Sequence, residues 1–172
     1  VDDVVLAGLS MGGYVAFEFI RRHRPRVRAL ALVDTRATAD SAEGRKGREI
    51  AMADAREGGA PLIAEQMLPK LLAKSAPHAL SEKVREVMAG APVPGLLGAL
   101  AAMRDRPDST DLLAGLKGLP TLVVVGAEDV LTPPREAEGM AKAIPGAKLA
   151  IIPNAGHLAP LDDHLVVPGV HL

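Results

Sequence analysis

Four runs of near-continuous aliphatic residues punctuate the chain, at Val4 to Leu9, Val27 to Val33, Pro120 to Val125 and Ala147 to Ile152. They lack the alternation of a half-exposed strand, so they predict buried parallel strands covered by helices on both faces. The first run passes through a Gly-rich turn into Gly13 to Arg22, where Tyr14, Phe17, Phe19 and a basic end predict a helix. The second run follows His23-Arg24-Pro25-Arg26 and stops at Asp34, completing a βαβ unit.

From Arg36 to about Lys117 the strand pattern gives way to helical stretches. These are Ala42 to Glu57, Pro61 to Lys74, Ser81 to Met88 and Gly95 to Arg106, cut by Gly58-Gly59, Pro77, Gly90 to Pro94 and Pro107. Strand-like runs then resume on either side of a helix predicted over Arg135 to Ile144. The chain accordingly divides into residues 1–35, which open an α/β core; residues 36–117, a helical insert; and residues 118–172, which close the core. The fold class is α/β, with a mostly parallel sheet of about four strands.

Composition narrows the chemistry. The 172 residues carry 20 Lys plus Arg against 21 Asp plus Glu and only three aromatics, Tyr14, Phe17 and Phe19, so neither a basic footprint nor base-stacking platforms for nucleic acid are present. The longest apolar runs, such as Leu119 to Ala127, fall short of the roughly 20 residues that span a bilayer. No membrane partner is expected, and a cytoplasmic protein is. Zero cysteines remove disulfides, thiolate metal sites and a Cys nucleophile. There is no H-E-x-x-H, and Asp2-Asp3 and Asp162-Asp163 read as solvated termini, so neither metal nor cofactor is expected.

What remains is Gly8-Leu9-Ser10-Met11-Gly12, a G-x-S-x-G arrangement set where the first strand turns into its helix. There a serine is held in a strained conformation with its hydroxyl projecting, and flanking glycines let neighbouring backbone pass closely. Met11 follows at the helix N-terminus and offers a backbone N–H to a developing oxyanion.

Together with Gly126-Ala127-Glu128-Asp129 and Asn154-Ala155-Gly156-His157, this motif resembles the α/β-hydrolase family, over essentially the whole chain to about Leu161. The resemblance implies that Ser10 is the nucleophile, His157 the general base and Asp129 the orienting acid, in the chain order expected for that fold. Glu128 and Asp34 compete for the acid role. Asp34 follows the second strand and is expected to cap or brace the start of the insert. His23, His78, His164 and His171 are poorer bases, lying among arginines, in the insert or in the tail. The insert resembles the family's cap, and Met52, Leu71, Met88 and their apolar neighbours either pack a core or line a pocket for small or medium aliphatic acyl groups.

The resemblance also implies strands before the nucleophile strand and a second oxyanion donor from an early loop, whereas this chain begins nine residues before Ser10. Asp162 to Leu172, with Pro168 and Gly169, does not read as the family's final helix. A partial fold with apolar sheet surface exposed is therefore expected. Two function classes follow: a serine esterase or lactonase acting on a small-molecule ester, with perhydrolysis as a variant, or a non-catalytic remnant serving as a binding or assembly module. In either, Val4 to Leu9 becomes an open edge that invites a homo-oligomer.

Overall fold

The computed structural model describes residues 3–162. Strands β1 (Val4–Leu9), β2 (Val27–Val33), β3 (Thr121–Gly126) and β4 (Lys148–Ile152) lie side by side in chain order, and every pair is parallel. A parallel pair needs a crossover rather than a hairpin. Helix α1 (Met11–His23) supplies the first, and α6 (Pro134–Ala143) the last. Between β2 and β3 the crossover swells into α2 (Ala42–Met67), α3 (His78–Ala89), α4 (Val93–Asp105) and the single turn α5 (Thr110–Leu113). One further turn, α7 (Ala159–Asp162), follows β4.

The main core lies on one face of the sheet. Ala16, Phe17 and Ile20, at the spacing of one helical face, bring α1 against Leu30 and Leu32 of β2, and Ala137 and Met140 do the same for α6 against Val123 and Val125. The intervening residue Val124 points to the opposite face, where it joins Ile152, Ala155 and Ala159. That second face corrects the expectation of helices on both sides. Among the described residues it is covered only around Val124, and Val5 remains 71 % exposed. The expected exposed apolar surface is found there.

Element boundaries shift for identifiable reasons. Helices α3 and α4 begin before the predicted Ser81 and Gly95 because Pro77 sits at a cap and Pro94 in a first turn, where a missing N–H leaves no hydrogen bond unmade. The predicted break at Gly58-Gly59 appears inside α2, where Gly59 takes φ 69°. The insert has its own small core of Leu68, Leu71 and Val84, onto which Leu131 and Leu158 pack from the loops after β3 and β4. The start of the insert is braced by Asp40, paired with Arg106 at 2.8 Å and Arg48 at 3.1 Å, with the Arg106 guanidinium stacked 4.1 Å from the Tyr14 ring centre. Asp34, expected in that role, is used elsewhere. The expectation for the tail falls, beyond Asp162, outside the described residues, as do His164 and His171.

Candidate active site

In an open parallel sheet the strand C-termini face a common crevice. Backbone strain collects at that end. Among the described residues, the non-glycine positions with positive φ are Ser10 (51°), Asp34 (45°) and Asn154 (56°), which follow β1, β2 and β4. Such conformations persist only where surrounding structure over-determines them.

Ser10 occupies the N-cap of α1, yet its hydroxyl makes no capping hydrogen bond. The side chain is directed away from the helix, and its Oγ lies 2.7 Å from His157 Nε2. The backbone is held instead: Ser10 N–H donates to Val33 O, and the Thr35 hydroxyl donates to Ser10 O at 2.8 Å. The two flanking glycines are not equivalent. A Cβ on Gly8 would lie 2.4 Å from Gly12 O, whereas one on Gly12 would meet nothing within 4 Å. Close approach therefore accounts for Gly8 but not for Gly12, contrary to the symmetric expectation. Gly8→Ala is expected to lower the melting temperature by roughly 3–10 °C, as overpacking against backbone does in a domain of this size. Gly12→Ala should leave it nearly unchanged, and a thermal melt of the two variants checks the contrast.

His157 is 4 % exposed and Asp129 is 3 % exposed. His157 Nδ1 lies 2.8 Å from Asp129 Oδ2. An ionised carboxylate only accepts, so Nδ1 carries the proton and Nε2 is left to accept from the Ser10 hydroxyl. Asp129 is itself held by an Asx-type turn. Its Oδ1 accepts from Leu131 N and Thr132 N, both at 2.8 Å, and its Oδ2 accepts the Thr132 hydroxyl at 2.6 Å. Burial would raise this carboxyl, but the hydrogen bonds from His157 and Thr132 outweigh it and hold Asp129 below the ordinary carboxylate range. Met11 is the first helical residue of α1, so its N–H has no intrahelical acceptor and sits at the positive end of the helix.

The structure thus brings Ser10, His157 and Asp129 into one hydrogen-bonded chain, with Met11 beside it. Of the competing acids, Glu128 accepts Lys74 N–H at 3.1 Å and so ties its loop to the insert. Asp34 accepts from Gly126 N at 2.9 Å and Ala159 N at 3.0 Å rather than from the imidazole. His23 and His78 are exposed and lie outside the chain of contacts. Asp162 is not a solvated terminal residue: its Oδ2 accepts from Ala73 N at 3.0 Å and Gly156 N at 2.7 Å, joining the histidine loop to the insert. Sequence reasoning passed over Thr132, whose signal is the Asp-x-x-Thr spacing of a side-chain-capped turn, and Arg36, whose guanidinium donates to Leu131 O. Among the described residues no group of three or more His, Cys, Asp or Glu side chains is arranged to hold a metal ion. No single described helix is long and apolar enough to cross a bilayer.

A family described as "Alpha/beta hydrolase family" matches residues 1–168. A pimeloyl-[acyl-carrier protein] methyl ester esterase of Chromobacterium violaceum is 30 % identical over 167 residues, covering 92 % of this chain and 64 % of that protein. The enzyme of the same name from Neisseria meningitidis serogroup C is 28 % identical over 165 residues, with 92 % and 64 % covered. Among solved structures, a malate-bound thermophilic esterase from Thermogutta terrifontis superposes with a TM-score of 0.89 at 46 % identity, covering 94 % of this chain and 60 % of that one. The enol-lactonase from Burkholderia xenovorans LB400 gives 0.79 at 26 % identity, covering 91 % and 59 %. The chain therefore spans less than two thirds of the length of these relatives.

Proposed function

Since the chain belongs to the alpha/beta hydrolase family, we propose that it is a serine hydrolase that cleaves carboxylic esters through Ser10, His157 and Asp129, without metal or cofactor. The observation that carries the reading is the unbroken hydrogen-bonded chain from Ser10 Oγ through the His157 imidazole to the Asp129 carboxylate. In that arrangement Ser10 Oγ adds to the ester carbonyl carbon as its proton passes to His157 Nε2. The oxyanion accepts the Met11 N–H, the C–O bond to the alcohol breaks, and His157 returns the proton to the departing alkoxide oxygen. Water, deprotonated by His157, then releases the acid and restores Ser10. The relatives are named esterase, methyl ester esterase and enol-lactonase, names that share an ester or lactone as the bond acted on, which supports the same class of reaction here.

For the acyl part we favour a short to medium aliphatic chain. A cavity of about 340 Å³, at the small end of ligand pockets, is lined by Leu71, Leu80, Val84, Met88 and by Leu158, the neighbour of His157. The reading is tested by incubating the protein with p-nitrophenyl acetate and butyrate in EDTA, and with a fluorophosphonate followed by peptide mass analysis. Turnover and a single adduct on Ser10 are expected. A protein that turns over neither ester and takes no adduct would instead favour the binding-module reading.

The same reading includes a homo-oligomer through β1. Among the described residues this strand pairs only with β2, and its outward Val5 carries neither charge nor proline to block pairing. Sedimentation at micromolar concentration is expected to find a dimer or larger species that Val5→Lys converts to monomer. A compact wild-type monomer, or an associated Val5→Lys variant, would reject this contact.

A further inference from the structure

Asp34 is a carboxylate that the proposed reaction does not use, although it is fully buried at the floor of the site. It follows β2 with φ 45°, a conformation that costs free energy in any residue but glycine, and its own N–H donates to Val124 O of β3 at 2.9 Å. Each of its oxygens takes one backbone N–H from a different part of the site. Oδ1 accepts from Gly126, the last residue of β3 and three before Asp129, and Oδ2 accepts from Ala159, two residues after His157. We propose that Asp34 is the positioning residue of the site, a carboxylate clamp that holds the acid loop and the histidine turn at a fixed separation so that Asp129 meets His157. The inference rests on the reading of Ser10, His157 and Asp129 as the reacting group and adds to it a fourth residue that touches no substrate.

The clamp has a consequence for pH. Burial pushes the Asp34 carboxyl up to about 6, against the two N–H donors that favour its ionised form. The charged groups that face it are Asp129, from the loop after β3, which raises it further, and His157, from the turn after β4, which lowers it. Protonation turns one of the two acceptor oxygens into a hydroxyl, a weaker acceptor whose proton needs a partner of its own. The clamp is therefore complete above about pH 6 and loosened below it. The acid limb of activity then contains the proton uptake of Asp34 as clamp.

Two measurements on the whole chain test this. In amide NMR spectra of the wild type, the Gly126 and Ala159 N–H signals are expected to move together with a midpoint near pH 6, and in Asp34→Asn to stop moving. In fluorophosphonate labelling, Asp34→Asn is expected to lower the limiting rate about tenfold with the inhibitor's binding constant unchanged. The pH profile of the wild type should show a fall of about tenfold through pH 6 that is missing from Asp34→Asn. Amides that do not titrate between about pH 4.5 and 7.5 would overturn the clamp, as would an Asp34→Asn protein with the wild-type limiting rate and acid limb. If the variant does not fold, the wild-type amide titration decides alone. If the wild type takes no label, the proposed reaction fails, and the amide titration still reads the clamp.

Discussion

Replacing Ser10 with alanine is expected to lower ester turnover by about 10,000-fold or more and to abolish fluorophosphonate attachment. The size follows from the division of labour at the site. In the proposed reaction Ser10 supplies the bond to the acyl carbon, and among the described residues no other hydroxyl shares the His157 Nε2 contact at 2.7 Å. The Thr35 hydroxyl, which reaches the same residue, is engaged with Ser10 O. His157→Ala should cost a similar factor, because without the imidazole the serine proton has no acceptor. The double variant should be no slower than either single, since two residues that act as a unit lose their joint effect once. What survives is the contribution of the Met11 N–H and of binding. Steady-state kinetics on the three variants measures this. A Ser10→Ala protein within tenfold of the wild type, or a wild type silenced by EDTA, would replace covalent catalysis with another mechanism.

The residues proposed to act on an ester were legible as a group because their chemistry is local. A serine between a strand and a helix, and an acid and a histidine each just past a later strand, are patterns of adjacent residues, and parallel topology carries all of them to one crevice. The bounds of β1 and β2 were legible for the same reason, as unbroken aliphatic runs between turn residues. The supports were not. Asp34 braces Gly126 and Ala159 across 92 and 125 residues of chain, and Asp162 joins Ala73 across 89, and no spacing in a single sequence announces such pairs. The uncovered face around Val5 was expected from the resemblance and not from the runs themselves, because an aliphatic run looks the same whether one face or both are packed. Thr132 alone among the supports had a local signal, three residues from the acid it holds.

Asp129→Asn is the second substitution with a large expected effect, a loss of about 10,000-fold in turnover with the fold retained. The carboxylate accepts four hydrogen bonds: Leu131 N and Thr132 N on Oδ1, and the Thr132 hydroxyl and His157 Nδ1 on Oδ2. An asparagine that keeps its oxygen toward the two amides presents its NH2 to the imidazole. His157 must then hold its proton on Nε2 and accept with Nδ1, so Nε2 points a donor at Ser10 and takes no proton from it. Stability should follow a pH course of definite sign. The folded Asp129 carboxyl lies below its ordinary value of 3.8, so its stabilising contribution is present above that value and is lost as pH falls through the lower folded one. The wild-type advantage in melting temperature over Asp129→Asn is therefore expected to be constant from neutrality down to about pH 5 and to shrink below about pH 4. Asp34, pushed the opposite way by burial to about 6, separates from Asp129, so that the proposed orienter stays ionised while the proposed clamp changes state near pH 6. Thermal melts of both proteins from pH 7 to 3, beside kinetics at pH 8 where Asp34 is ionised in each, read the two effects independently. An Asp129→Asn enzyme that keeps a tenth of the wild-type turnover would remove Asp129 from the reacting chain.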